Sequence, residues 1–348
     1  FIQDENGNWY YFDKRGYLAT GAHEIDGKQV YFLKNGIQLR DALHEDENGN
    51  QYYYDKTGAQ ILNRYYTTDG QNWRYFDAKG VMARGLVTMG GNQQFFDQNG
   101  YQVKGKIARA KDGKLRYFDK DSGNAATNRF AQGDNPSDWY YFGADGVAVT
   151  GLQKIGQQTL YFDQDGKQVK GQVVTLADKT IRYFDANSGE MAVGKFAESA
   201  KNEWYYFDQT GKAVTGLQKI GQQTLYFDQN GKQVKGQLVT LADKSIRYFD
   251  ANSGEMAANK FVEGAKNEWY YFDQAGKAVT GLQQIGQQTL YFDQNGKQVK
   301  GKIVYVNGAN RYFDANSGEM ARNKWIQLED GSWMYFDRNG RGRRFGWN

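Results

Sequence analysis

The chain has 348 residues, 44 Lys and Arg against 40 Asp and Glu, and no cysteine. Disulfides, thiolate chemistry and cysteine-held metals are therefore excluded, and dispersed charges of this balance do not make a nucleic-acid face. Hydrophobic residues reach only 39%, while aromatic residues make up 16% and glycine numbers 43 beside one proline. An aromatic-rich, glycine-punctuated chain of this kind reads as many short strands joined by tight turns. No apolar run approaches the roughly 20 residues that a membrane span needs.

The first residues, "FIQDENGNWYYFD", open in the middle of a pattern, which reads as a segment cut from a longer protein. The aromatic pair before Asp then returns along the whole length. Its second member stands at Phe12, Phe32, Tyr54, Phe76, Phe96, Phe118, Phe142 and Phe162, and again at Phe184, Phe207, Phe227, Phe249, Phe272, Phe292, Phe313 and Phe336. Successive spacings run from 20 to 24 residues, and a fixed period of this size signals a solenoid or an array. A longer period lies above it, because Trp9, Trp73, Trp139, Trp204, Trp269 and Trp333 recur every 64 to 66 residues. Three short units thus form one long one. The fold predicted is all-β, a β-solenoid of about sixteen stacked hairpins of roughly 22 residues, forming one repeat domain over residues 1–348. The "AQGDNPSDW" stretch around Pro136 lengthens one spacing to 24 and reads as a longer loop or a bend.

Within "TLYFDQNGKQVKG" (224–236), β-formers precede Asp228, "DQNG" reads as the turn and "KQVK" as the return strand. Asp at the first turn position accepts backbone amides, so the repeated aspartates are expected to form turns. Alternation along the strands then buries Leu225, Phe227 and Val234 and sends Tyr226, Gln233 and Lys235 to the opposite face, provided the turn does not slip the register. The equivalent segments of the neighbouring hairpins read "GKAVTG" and "GEMAAN", so Gln-x-Lys marks one hairpin in three. Five candidate sites follow: Gln38/Arg40 with Tyr31, Gln102/Lys104, Gln168/Lys170 with Tyr161, Gln233/Lys235 with Tyr226, and Gln298/Lys300 with Tyr291. The second has Phe95 in place of tyrosine. A tyrosine of the following hairpin (Tyr117, Tyr183, Tyr248 or Tyr312) is placed to close each of the last four. An amide, an ammonium and an aromatic face together suit a sugar ring, whose hydroxyls take hydrogen bonds while its C–H face lies on the tyrosine. The plainer reading is that the tyrosines stack between hairpins and that Gln and Lys are solvated.

Repeated units such as "YYFDxxGKAVTGLQ" and "YFDQNGKQVKG" resemble the cell-wall-binding repeats in the glucan-binding regions of streptococcal glucosyltransferases, from end to end of the chain. The resemblance implies a β-solenoid that binds α-glucan such as dextran beside a separate catalytic domain, through a stacking Tyr with Gln and Lys. It implies a secreted, cell-surface or glucan-matrix protein, with no cofactor, no nucleic-acid partner and no membrane insertion, and a monomer is expected. No catalytic activity is expected of the segment, since it lacks β/α alternation and every carboxylate lies in a repeated turn or loop. His23 and His44 have no metal-type spacing. Two other functions compete: a choline-binding anchor to teichoic acid, which needs an aromatic cage, and a structural spacer.

Overall fold

The computed structural model describes residues 1–199 and 201–344. It divides into two compact units, the first Phe1–Lys170 and the second beginning at Gly171. The same element builds both. Sixteen antiparallel hairpins follow one another among the described residues, and the last carries a third strand, Gly342–Arg344. The helical content there is a single 3-10 turn, Ala265–Asn267.

One hairpin explains the others. Gly216–Ile220 pairs with Gln223–Phe227, with Gly216 opposite Phe227 and Ile220 opposite Gln223. Asp228 then starts a turn. Its amide donates to the Lys232 carbonyl at 2.8 Å, and its carboxylate accepts the Asn230 and Lys232 amides at 2.8 and 2.9 Å. The repeated aspartates are turn formers, as the sequence indicates. Beyond the turn, Phe227 bridges Gln233, and the Val234 amide donates to the Tyr226 carbonyl at 2.8 Å.

Two expectations are corrected here. "KQVK" is not a full return strand; the ladder partner of "QTLYF" is the preceding "GLQKI", and "KQVK" adds one bridge. The turn also holds five residues, Asp228 to Lys232, instead of four. That extra residue slips the register by one, and directly opposed residues share a face. Gln233 therefore lies on the side of Phe227, while Val234 is only half-buried. Leu225 and Phe227 are buried, as their alternation requires.

Within each unit, two contacts link neighbouring hairpins, as the second unit illustrates. The amide of the bridging residue donates backward: Gln233 to the Trp204 carbonyl at 2.7 Å, Met256 to Thr224 at 2.8 Å, Ala278 to Ile246 at 2.9 Å. Its side chain packs forward under the turn glycine of the next hairpin, Ala213 under Gly231, Gln233 under Gly254 and Met256 under Gly276. The marker aromatics fill the space between. Phe32 and every later marker are buried, and Phe12, at 42% exposed, is the exception. Each buried phenylalanine contributes on the order of 1.5–3 kcal/mol, so stability accumulates hairpin by hairpin instead of in one thick core.

Candidate functional site

Because the bridging position faces the next turn, the Gln-x-Lys pair meets that turn directly. Gln233 Nε2 donates to the Ser253 carbonyl at 3.2 Å, and Lys235 Nζ donates to the Asn252 carbonyl at 3.1 Å. The receiving turn is held in shape by Asp250, whose carboxylate accepts the Asn252 and Ser253 amides at 3.0 and 2.9 Å. Those amides, that of Ser253 foremost, hold its carboxyl below the ordinary carboxylate range. The other wall comes from the preceding hairpin, where Lys235 Nζ lies 5.7 Å from the centroid of the Trp204 ring. The sequence reading missed this tryptophan. Its signal was the 64–66-residue period, which places one Trp exactly one hairpin ahead of each Gln-x-Lys, and the Trp carbonyl is what the Gln amide bonds.

The arrangement recurs with variations. Gln298 Nε2 donates to the Ser317 carbonyl at 3.1 Å, and Lys300 Nζ lies 5.6 Å from the Trp269 centroid, within a cleft of about 280 Å³. At the second site a cleft of about 360 Å³ joins Gln102 and Lys104 to Trp73 and Tyr65. There Gln102 Nε2 donates to Gln94 Oε1 at 2.7 Å and Lys104 Nζ to the Asp121 carbonyl at 2.9 Å. Gln168 bridges Phe162, its amide donates to the Trp139 carbonyl at 2.7 Å, and Tyr161, Gln168 and Lys170 are half-buried. The first site is closed on itself. Gln38 is buried, Arg40 Nε donates to Gln38 Oε1 at 2.8 Å, and the Arg40 guanidinium lies 4.4 Å from the Trp9 centroid.

The candidate tyrosines pack against neighbouring rings. Tyr226 and Tyr291 are half-buried, each with its ring 5.5 Å from the core phenylalanine of the next hairpin, Phe249 and Phe313. Tyr31 lies 3.9 Å from the His44 ring. Tyr117, Tyr248 and Tyr312 pack against the clusters around Phe142, Phe272 and Phe336. Tyr183 is buried within the cluster of Ala192, Tyr205 and Phe207, and that burial raises its hydroxyl pKa. At Gln233/Lys235 and Gln102/Lys104 the pair thus faces an indole of the preceding hairpin and two carbonyls of the following one, while the tyrosines pack against neighbouring aromatic rings and clusters. Chemically the cleft offers an ammonium, a carboxamide with its oxygen available as an acceptor, and a partly exposed aromatic surface. No group of three or more His, Asp or Glu able to hold a metal occurs among the described residues.

Comparison with known proteins gives the chain its relatives. It is 48% identical to glucosyltransferase-S of Streptococcus mutans over 99% of this chain and 24% of that protein. It is 42% identical to glucosyltransferase-I of Streptococcus downei over 97% of this chain and 24% of that one. The chain therefore spans about a quarter of the length of these curated relatives. Among solved structures, the modular autolysin LytC of Streptococcus pneumoniae shares the fold, with a TM-score of 0.50 and 18% identity over 69% of this chain and 53% of that chain. A putative cell wall binding repeat matches residues 1–18, 128–148, 198–213 and 259–278. A choline-binding repeat matches residues 19–65, 83–130, 149–196, 214–261 and 279–325, more than half of the chain. On that match, the chain belongs to the choline-binding repeat family.

Proposed function

We propose that this chain is a multivalent binding module for α-glucan, a dextran-type glucose polymer. The observation that carries this reading is that Gln and Lys stand beside an indole in three of the long repeats, at Trp73, Trp204 and Trp269, with a cleft at the first and last of these. In the cleft of Gln298 and Lys300 the polar groups would bond glucose hydroxyls and Trp269 would take the C–H face of the ring. Tyr291 and its equivalents enter the proposal as neighbouring half-exposed rings. The relatives are glucosyltransferases, whose chemistry adds glucose units to an acceptor. We read the segment as the part of such a protein that holds polymer and leaves catalysis to the rest. The parent protein is then a sucrose-dependent glucosyltransferase, secreted and retained at the cell surface or in the glucan matrix. Single clefts of this size bind weakly, but several on one polymer raise the effective concentration of each next contact, a gain on the order of a hundredfold or more.

The family name favours choline as a second reading. A quaternary ammonium needs an aromatic face free of other cations. Here Lys235, Lys300 and Arg40 already hold their own charges within 5.7, 5.6 and 4.4 Å of the Trp204, Trp269 and Trp9 rings. Electrophoresis in gels with and without dextran separates the readings. Retardation by dextran that free choline leaves unchanged supports the glucan module. Migration unaffected by dextran overturns it, and retention on a choline matrix with elution by choline establishes the alternative.

A further inference from the structure

The last long repeat carries a second kind of cleft, of about 390 Å³, lined by Arg311, Arg322, Arg338, Thr289 and Gln284. Its counterpart one repeat earlier lacks this character. Where the last repeat has Arg322, Arg338 and Gln284, the preceding one has Ala258, Gln274 and Lys219. One arginine is common to both copies, and its surroundings differ. Arg247 Nε donates to Ser245 Oγ at 3.2 Å, and Arg182 Nε to Thr180 Oγ1 at 3.4 Å. At the same place the last repeat has Ala309, with no hydroxyl. Arg311 is 8% exposed, and its Nε has no hydrogen-bond partner. A buried N–H without an acceptor is a costly and uncommon feature.

The side chains beside Arg311 form a hydrogen-bonded chain that ends on the backbone. Arg322 Nη2 donates to Thr289 Oγ1 at 2.7 Å, that hydroxyl donates to Gln284 Oε1 at 2.7 Å, and the Gln284 amide donates to the Gly286 carbonyl at 3.0 Å. No carboxylate lines the cleft. Among the described residues no ion pair involves Arg311, Arg322 or Arg338. Three guanidiniums lining one concavity without a counter-charge, one with an unsatisfied donor, match the bidentate and multiply charged geometry of a phosphate group.

We propose that this cleft is an oxyanion site that takes a phosphate group, carried by a ligand distinct from the glucose polymer. The proposal does not rest on the glucan reading, because none of its residues belongs to a Gln-x-Lys site. Calorimetric titration of the full chain with inorganic phosphate, against chloride at matched ionic strength, tests it directly. Saturable one-to-one binding to phosphate is expected. Arg322→Gln with Arg338→Gln, both exposed positions, should weaken it by roughly tenfold or more, as loss of charge-assisted hydrogen bonds does. Ala309→Ser, which returns a hydroxyl to Arg311 Nε, should weaken it severalfold without removing a charge. Titrations with methyl phosphate and dimethyl phosphate distinguish a terminal phosphate from a phosphodiester backbone, according to which binds more tightly. Phosphate that binds no better than chloride, or binding that survives in the double variant, overturns the proposal. Ala309→Ser binding as tightly as the parent removes Arg311 from it. Retention by dextran should be unaffected in the double variant, and its loss would refute the separation of the two sites.

Discussion

Gly254→Ala probes how far the candidate site depends on the stack, and Gly216→Ala is its matched control. Both glycines have φ of +73°, a region where a side chain costs about 1–2 kcal/mol. Their surroundings differ. A Cβ at Gly216 meets nothing within 4 Å, whereas at Gly254 it would lie 2.3 Å from Gln233 Nε2 and 3.2 Å from Lys235 Cγ. The backbone cost is therefore shared, and the collision belongs to Gly254 alone. The nearest atom is the end of a flexible side chain, so Gln233 should swing away and give up its bond to the Ser253 carbonyl, a further loss of about 0.5–1.5 kcal/mol. Thermal unfolding should place Gly254→Ala roughly 1–2 °C below Gly216→Ala for a difference of about 1 kcal/mol. In dextran gels, Gly254→Ala should lose part of its retardation and Gly216→Ala should keep all of it. Equal melting temperatures together with equal retardation would refute both the forward contact and its role in binding.

Gln233→Ala with Lys235→Ala should lower dextran retardation only in part, and complete loss from that one pair would contradict a module with several sites. Trp204→Ala should lower retardation comparably without adding to the loss caused by Lys235→Ala, as measured in a double-mutant cycle on the same gels. At low pH the carboxyls of Asp185, Asp250 and Asp314, held down chiefly by the serine amide of their own turns, are among the many lowered aspartates that contribute to the response. A lowered folded pKa gives stability that is present above the unfolded value near 4 and lost as pH falls through the folded one, so circular dichroism should stay flat from neutrality to about pH 4 and decline below it. At high pH the hydroxyls of Tyr54 and Tyr205 are pushed up to about 12, in both cases mainly by burial and in Tyr205 also by its bond to Glu203. A raised folded pKa gives stability that is full below about 10 and lost through about 12, so circular dichroism should hold up to about pH 10 and decline through that window.

Much of this architecture is legible in the sequence because it is periodic. The spacing of the marker aromatics gives the number of hairpins, and Phe32 through Phe336 are buried as that spacing requires. The aspartates form the turns their position implies. What the sequence does not reveal is the length of a turn to within one residue. "DQNG" ends in glycine and reads as complete, yet Lys232 belongs to the loop, and that single residue decides which face Gln233 occupies. The indole partner was hidden for a related reason. Trp204 and Lys235 are 31 residues apart, and only the backward bond from the Gln233 amide to the Trp204 carbonyl brings their hairpins into register. The arginine cleft was hidden because its members are scattered departures from a repeat whose regularity draws attention elsewhere.

The bridging position also explains how a polar pair can exist inside a stack. Within one long repeat that position holds Ala213, Gln233 and Met256, each under a turn glycine of the hairpin that follows. Ala and Met need only space there, but Gln brings donors that must be satisfied. The turn that receives Gln233 differs accordingly. After Asp228 the loop closes from the Asp amide to a carbonyl four residues on, Lys232, whereas after Asp250 it closes five residues on, at Glu255. The turns that receive Gln102 and Gln298 are lengthened in the same way, from Asp119 to Asn124 and from Asp314 to Glu319. In each longer turn a serine carbonyl accepts the Gln amide, at Ser122, Ser253 and Ser317. Gln38 instead meets a short turn, Asp55 to Ala59, and there Arg40 holds its carboxamide oxygen. A solvated surface glutamine would require no such match. The pairing of Gln102, Gln233 and Gln298 with longer, serine-bearing turns holds those side chains in place, and a side chain held in place can present the rest of its polar surface to a ligand at little entropic cost.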